Sequence, residues 1–176
     1  MDLDTQTAQL FIGVVSDEPE KLSYLDQVGV NYSMLRTKTI DLAVYDLPDT
    51  ELGLDQLDVL LITDFNTQAL TQEQTDAILE WVHRGGILLF RNRKQMEKKP
   101  YLLFSSQLLE YPVLPAISYE ISMGSERGVK ERGDDRLTLD CTDVNLKGGT
   151  ELITSDSFTV LSSTSMGNGM AAVAAF

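Results

Sequence analysis

The stretch from Leu57 to Arg93 constrains this chain more than any other, because it reads as a complete strand, helix, strand unit. Leu57-Asp58-Val59-Leu60-Leu61-Ile62-Thr63 is a nearly unbroken apolar run of strand length, the pattern of a central parallel strand covered on both faces. Thr71-Gln72-Glu73-Gln74 has the form of a capping box, in which Thr71 and Gln74 reciprocally satisfy backbone donors at a helix start. Ala77, Ile78, Trp81 and Val82 follow at helical spacing and form one apolar stripe that can lie on a sheet. Gly85 and Gly86 stop the helix, since glycine accepts the left-handed conformation found just past a helix end. Ile87-Leu88-Leu89-Phe90 is then a second buried strand. A crossover of this kind brings both strand ends to one edge of the sheet, where ligands of open α/β sheets bind. The tips that reach that edge are Asp64 to Thr67 and Arg91 to Arg93.

On either side of this unit the chain changes character. Leu10 to Val15 reads as a first strand closed by Ser16-Asp17, and Asp17 with Glu20 resembles a capping signal for a helix whose core edge is Leu22, Leu25 and Val28. Pro19 suits the first turn of that helix, where its missing N–H costs nothing. Val30 to Leu35 is expected as a strand of mixed exposure, with Ile40, Leu42 and Val44 as a short second piece. Pro48 to Gly53 makes a turn or one helical turn into the Leu57 strand. A short helix is expected around Ser105 to Leu109. Beyond Pro112 and Pro115, strand-like runs appear at Ile117 to Met123, Leu137 to Cys141, Phe158 to Ser163 and Met170 to Phe176. Asn168-Gly169 lies between the last two, a hairpin signal.

The expected fold is therefore α/β, a flavodoxin-like open and mainly parallel sheet flanked by helices, with a β-rich C-terminal extension. Residues 1–111 would form the α/β domain and residues 112–176 the extension. The last run, Ala171 to Phe176, stops within an apolar strand without a polar tail, so the native chain is expected to continue beyond Phe176.

Charge narrows the partners. Lys and Arg total 14 against 27 Asp and Glu, a formal net charge of -13, which argues against nucleic acid and against direct contact with an anionic membrane surface. No run approaches the roughly 18 apolar residues a membrane helix needs, so any membrane attachment would come through a segment outside this chain. A lone cysteine, Cys141, excludes an intramolecular disulfide and a cysteine-rich metal site.

The Leu10 to Asp17 strand, the Leu57 to Thr67 strand and tip, the Leu70-Thr71-x-x-Gln74 helix start and Trp81-Val82-x-x-Gly85-Gly86-Ile87-Leu88 together resemble class I glutamine amidotransferase-like domains. Gly167-Asn168-Gly169 looks like the Gly-x-Gly hairpin that precedes a late strand in that group. The likeness is nearest to the degenerate, non-catalytic versions in extracytoplasmic parts of bacterial membrane proteins. It implies a binding or scaffold module of a larger, membrane-anchored protein on the extracytoplasmic face, with a cytoplasmic location as the alternative. In active members the strand after the Gly-Gly helix end runs into an elbow carrying a cysteine nucleophile. The matching positions here read Phe90-Arg91-Asn92-Arg93, so the resemblance implies no amidotransferase activity.

The candidate ligand-binding residues are Ser16, Asp17, Asp64, Asn66, Arg91, Asn92 and Arg93, all at expected strand tips. Asp64 and Asn66 equally suit a turn, and Asp17 equally suits a helix cap. Arg91, Arg93, Lys94, Lys98 and Lys99 form a basic island within nine residues, able to hold an anion or simply to stand in solvent. His83, at a helix end, favours a local role beside the dipole, Trp81 a core role, and Cys141 that of a small buried hydrophobe. No catalytic residue, cofactor or metal site is assigned, since two carboxylates are too few for a hard cation. The expected partner is a protein or a small polar or anionic ligand. The competing expectation is a hydrolase-type enzyme that uses Asp17 and Asp64 with a basic anion-binding loop. Neither the ligand's identity nor an oligomeric state can be read from these residues.

Overall fold

A computed structural model describes residues 8–30, 34–91, 109–110, 117–122, 136–141, 145–146, 148–155 and 158–175. Its strands are β1 (Ala8–Val15), β2 (Gly29–Val30), β3 (Leu35–Asp41), β4 (Val59–Thr63), β5 (Ile87–Arg91), β6 (Leu109–Glu110), β7 (Ile117–Ser122), β8 (Arg136–Cys141), β9 (Asn145–Leu146), β10 (Thr150–Ser155), β11 (Phe158–Met166) and β12 (Gly169–Ala174). One α-helix, α1 (Gln72–Arg84), lies among the described residues, with short 3-10 segments at Pro19–Leu25, Val44–Asp46, Glu51–Leu54 and Thr67–Ala69. No helix among the described residues is long and apolar enough to cross a membrane.

Among the described residues the main sheet has eight strands in the order β10-β11-β12-β5-β4-β1-β3-β2. The five from β12 to β3 run parallel, and antiparallel strands finish both edges. The chain thus has an α/β fold built on an open, mainly parallel sheet with antiparallel C-terminal strands. Strands β10 to β12, from the expected extension, are hydrogen-bonded into the same sheet as β1 to β5. Two small antiparallel pairs, β6 with β9 and β7 with β8, complete the described strands.

Period-2 alternation in β4 sends Leu60 and Ile62 to one face and Leu61 to the other. On the first face Leu60, Ile62, Leu88, Phe90, Ala171 and Val173 pack with Ile78, Leu79, Trp81 and Val82 of α1. Each such large side chain contributes about 2 kcal/mol by leaving water. On the second face Ile12, Val14 and Leu61 meet Leu22 of the Pro19–Leu25 segment. The capping box forms as expected: Thr71 Oγ1 accepts from Gln74 N–H at 3.2 Å, and Gln74 Oε1 accepts from Thr71 N–H at 3.1 Å. Gln74 is itself buried, and its amide nitrogen donates to the Val44 and Leu47 carbonyls, so the cap also holds the preceding loop. Gly85 ends the helix at φ 136°.

Four expectations differ. The strand expected at Val30 to Leu35 is instead β3, Leu35–Asp41; residues 31–33 lie outside the description. Thr37, the residue of β3 that faces the core, is polar, which hid the alternation; its hydroxyl accepts from Val28 N–H and donates to the Leu25 carbonyl. The expected second piece breaks up accordingly, Ile40 belonging to β3 and Val44 to a 3-10 turn. In the last hairpin Met166 pairs with Gly169, so the turn residues are Gly167-Asn168 rather than Asn168-Gly169. Gly167 takes φ 60°. Of the expected Ser105 to Leu109 helix, Leu109 begins β6 and residues 105–108 lie outside the description.

That turn sits on the end of α1. Asn168 N–H donates to the His83 carbonyl at 2.9 Å and Met170 N–H to the Gly86 carbonyl at 3.2 Å. A Cβ at Gly169 would lie inside the contact shell of the Val82 and Gly86 carbonyl oxygens. Gly148 has φ 62° but open space where a side chain would go. Urea denaturation is therefore expected to show Gly169→Ala costing about 3 kcal/mol through backbone overlap, and Gly148→Ala only about 1 kcal/mol through left-handed strain.

Asp26 ties the Pro19–Leu25 segment to β3. Its carboxyl is held below the ordinary carboxylate range first by the hydrogen bond from Thr39 N–H at 3.1 Å and then by Lys38 Nζ at 3.5 Å, against the opposing effect of desolvation. A depressed pKa contributes stability above the unfolded value of 3.8 that is lost as pH falls through the folded value. Asp26→Asn should therefore be less stable than the parent near neutrality, and the gap should close below about pH 3.8 in denaturation curves taken across acid pH.

Candidate functional site

At the carboxyl ends of the parallel strands a cleft of about 230 Å³ is lined by Ser16, Glu18, Lys21, Leu22, Tyr24, Asp64 and Arg91. Ser16 follows β1, Asp64 follows β4, and Arg91 ends β5. Adjacent parallel strands thus carry three of the expected candidates to one place, at the edge where the topology predicts ligand contacts.

Asp64 departs from ordinary backbone geometry. Its φ of 47° is left-handed, a conformation that aspartate tolerates better than most residues. This turns the chain sharply after β4 and leaves the half-buried carboxylate on the cleft wall. The wall opposite belongs to the Pro19–Leu25 segment, anchored to β3 through Asp26 and Thr37. Leu22 points into the core from it, while Lys21 and Tyr24 face the cleft. Lys21 Nζ donates to Glu18 Oε2 at 2.7 Å. That bond, opposed by desolvation and aided by attraction to Glu18, Glu20 and Asp64, raises the ammonium above the usual lysine value.

Beneath the cleft runs a row of polar side chains. Val15 pairs with Ile62, which brings Ser16 beside Thr63, and Thr63 pairs with Arg91. By the alternation of β4, Thr63 shares its face with Leu61, the face that the Pro19–Leu25 segment covers. Thr63 is 2% exposed, and its hydroxyl has no hydrogen-bond partner among the described residues. An unsatisfied buried hydroxyl costs about 1–3 kcal/mol.

The remaining candidates take other places. Asp17 is exposed and does not line the cleft. Nor does it cap a helix: Glu18 stands at the cap position and makes no capping bond with its side chain, and Ser16 Oγ accepts from Glu18 N–H at 3.1 Å instead. From there the chain enters a 3-10 segment with Pro19 first, too short for the α-helical edge expected of Leu22, Leu25 and Val28. Asn66 lies outside the cleft lining, and its carbonyl accepts from Ala69 N–H in a turn. Asn92, Arg93 and the rest of the basic island lie outside the described residues. So does the side chain of Cys141, the last residue of β8. His83 is exposed in the last turn of α1 and contributes its carbonyl to Asn168.

Sequence reasoning missed Glu18, Lys21, Tyr24 and Thr63. Thr63 was legible as the last residue of a buried strand beside two expected tips. The others sit on a 3-10 turn, which has no apolar period to reveal its inward and outward sides. A larger cavity of about 440 Å³ lies at the opposite ends of the strands, beside Leu57, Trp81 and Gly86. Its cation, Arg84, is engaged with Glu51 at 3.2 Å and Asp55 at 3.7 Å. Among the described residues no group of three or more His, Cys, Asp or Glu side chains is placed to hold a metal.

Replacing Thr63 by valine keeps the shape and removes the unpartnered hydroxyl. Thermal and urea unfolding should find Thr63→Val unchanged or up to about 1 kcal/mol more stable than the parent, whereas a hidden structural bond would make it less stable.

No protein-family model and no curated protein matches the sequence. Solved structures do resemble the fold. Cytoplasmic protein STM1381 from Salmonella typhimurium LT2 aligns over 94% of this chain and 87% of its own, with 12% identity and a TM-score of 0.67. Cytoplasmic protein STM3548 from Salmonella typhimurium aligns over 96% and 87%, with 16% identity and a TM-score of 0.57. The exo-beta-1,4-mannosidase Op5Man5 from Opitutaceae bacterium strain TAV5 aligns over 97% of this chain but 31% of the enzyme, with 10% identity and a TM-score of 0.56. At these identities the likenesses establish a shared fold and nothing further.

Proposed function

We propose that this chain is a non-catalytic binding or scaffold module, of the amidotransferase-like kind, whose ligand site is the cleft at the carboxyl edge of the sheet. The observation that carries this reading is the convergence of Ser16, Asp64 and Arg91 on one cleft, lined among the described residues by no cysteine and no histidine. Arg91 occupies the end of β5, where the resemblance puts a nucleophile. The hydrolase alternative requires Asp17 beside Asp64, and the exposed position of Asp17 outside the lining weighs against it.

The resemblance carries the further reading that the module belongs to a larger, membrane-anchored protein on the extracytoplasmic face of a bacterial membrane. The cytoplasmic alternative draws support from the two Salmonella proteins, which are named as cytoplasmic.

The reading is tested by thermal unfolding against a panel of small carboxylic acids, phosphate esters and neutral sugars, with each compound followed by NMR over a day. At about ten times its Kd a true ligand adds about 1.4 kcal/mol, which is roughly 3–6 °C in Tm for a chain of this size. The expected outcome is such a shift for at least one compound, lost in Arg91→Ala, with every compound recovered intact. Turnover that Asp64→Asn abolishes would overturn the reading in favour of an enzyme.

A further inference from the structure

We infer that β10 is a self-association edge, along which two copies of this chain pair antiparallel and join their eight-stranded sheets across a two-fold axis. Among the described residues β10 has a neighbouring strand on one side only, β11, so a row of its backbone N–H and C=O groups faces outward.

This edge lacks the usual defences. Exposed edges are commonly blunted by lysine, proline or brevity, whereas β10 runs for six residues, Thr150-Glu151-Leu152-Ile153-Thr154-Ser155, with neither residue type. Leu152 and Ile153 are each 51% exposed in the middle of it. Its irregularity cancels: the register shift between Glu151 and Ile153 is reversed between Ile153 and Thr154, so the strand returns to its alignment on β11.

The other edge of the sheet decides the symmetry. There β2 has only two residues, and the β3 groups beyond it are already taken. Thr39 N–H donates to Asp26 Oδ1 at 3.1 Å, and the Thr37 carbonyl accepts from Gln27 N–H at 3.0 Å. A copy approaching β10 therefore finds its matching edge in another β10. Contact between identical edges closes as a dimer instead of growing into a filament.

Local charge permits this pairing. Glu151 is the one charged residue of β10, and its carboxylate accepts from Thr159 Oγ1 at 2.8 Å. Pairings that bring the exposed apolar residues together place the axis at Leu152 or at Ile153. The first sets each Glu151 opposite Ile153 of the other copy and the second opposite Ser155, so the two carboxylates never stand face to face. The net charge of -13 on each copy still opposes approach, so added salt strengthens the pair. Strands β11 and β12 separate β10 from β5, so the dimer leaves the cleft open.

The test is sedimentation equilibrium of the full chain up to about 1 mM, in about 0.05 M and about 0.5 M sodium chloride, with amide exchange followed by NMR. A monomer–dimer equilibrium is expected, tighter by about fivefold or more at the higher salt, with β10 amides exchanging more slowly as concentration rises. Ile153→Lys sets two cations beside the axis and should weaken the dimer about tenfold or more, while Ile153→Val keeps it. Because Ile153 is half exposed, lysine there leaves the fold intact, which unchanged amide signals from β1, β4 and β5 verify. A chain monomeric throughout, a dimer that survives Ile153→Lys, or association that weakens with salt overturns the proposal. Growth beyond the dimer also overturns it, as does a monomer that instead takes up an extended peptide along β10.

Discussion

The structure depends on the seating of the Gly167-Asn168 turn on the carboxyl end of α1. A helix leaves its last carbonyls without partners, and here the His83 carbonyl receives the N–H of Asn168 while the Gly86 carbonyl, just past the helix, receives that of Met170. Gly167 permits the left-handed turn, and Gly169 permits backbone to approach backbone where a side chain would collide with Val82 and Gly86. The contact sets β12 in register beside β5, Met170 opposite Ile87, and makes β5 an interior strand. Ala171 and Val173 then complete the core under α1, and Arg91 comes to rest between Thr63 and Ala174.

From that register the cleft follows. Parallel strands that end together present their tips together, so Ser16, Asp64 and Arg91 need no special loop to meet. The facing wall has a different origin. A seven-residue 3-10 segment covers the second face of the sheet where a longer helix was expected, and Thr37 and Asp26 of its surroundings hold it by hydrogen bonds rather than by a broad apolar stripe. Leu22 is its buried residue, which leaves Lys21 and Tyr24 turned toward the strand tips.

The unit from Leu57 to Arg93 was legible because its signals are local: a strand-length apolar run, a capping box, a helical stripe and paired glycines. Site residues at the strand tips were legible for the same reason, since the rule for open sheets needs only strand direction. Asp17 was misjudged because capping requires a particular backbone geometry, and Pro19 started a 3-10 turn behind it. The strand β3 escaped because its core-facing Thr37 is polar and its neighbours Arg36 and Lys38 are exposed. Choosing Gly167-Asn168 over Asn168-Gly169 as the turn required knowing what the hairpin docks against. The row of Ser16, Thr63 and Arg91 exists only across strands, so no pattern along the chain could reveal it.

The position of β12 also bears on how the fold is reached. Strands β1, β4 and β5 can associate early, with α1 closing the first face, yet β5 keeps one edge of unpaired backbone until residues some eighty positions later arrive beside it. Closing so long a loop to form a parallel pair is slow relative to local structure. During that interval the nascent sheet exposes its most apolar strand edge to other chains, and the helix end lacks its two late hydrogen-bond donors. Completion of the sheet thus waits on a long-range closure, the kind of step during which unpaired strand edges are most open to association with other chains.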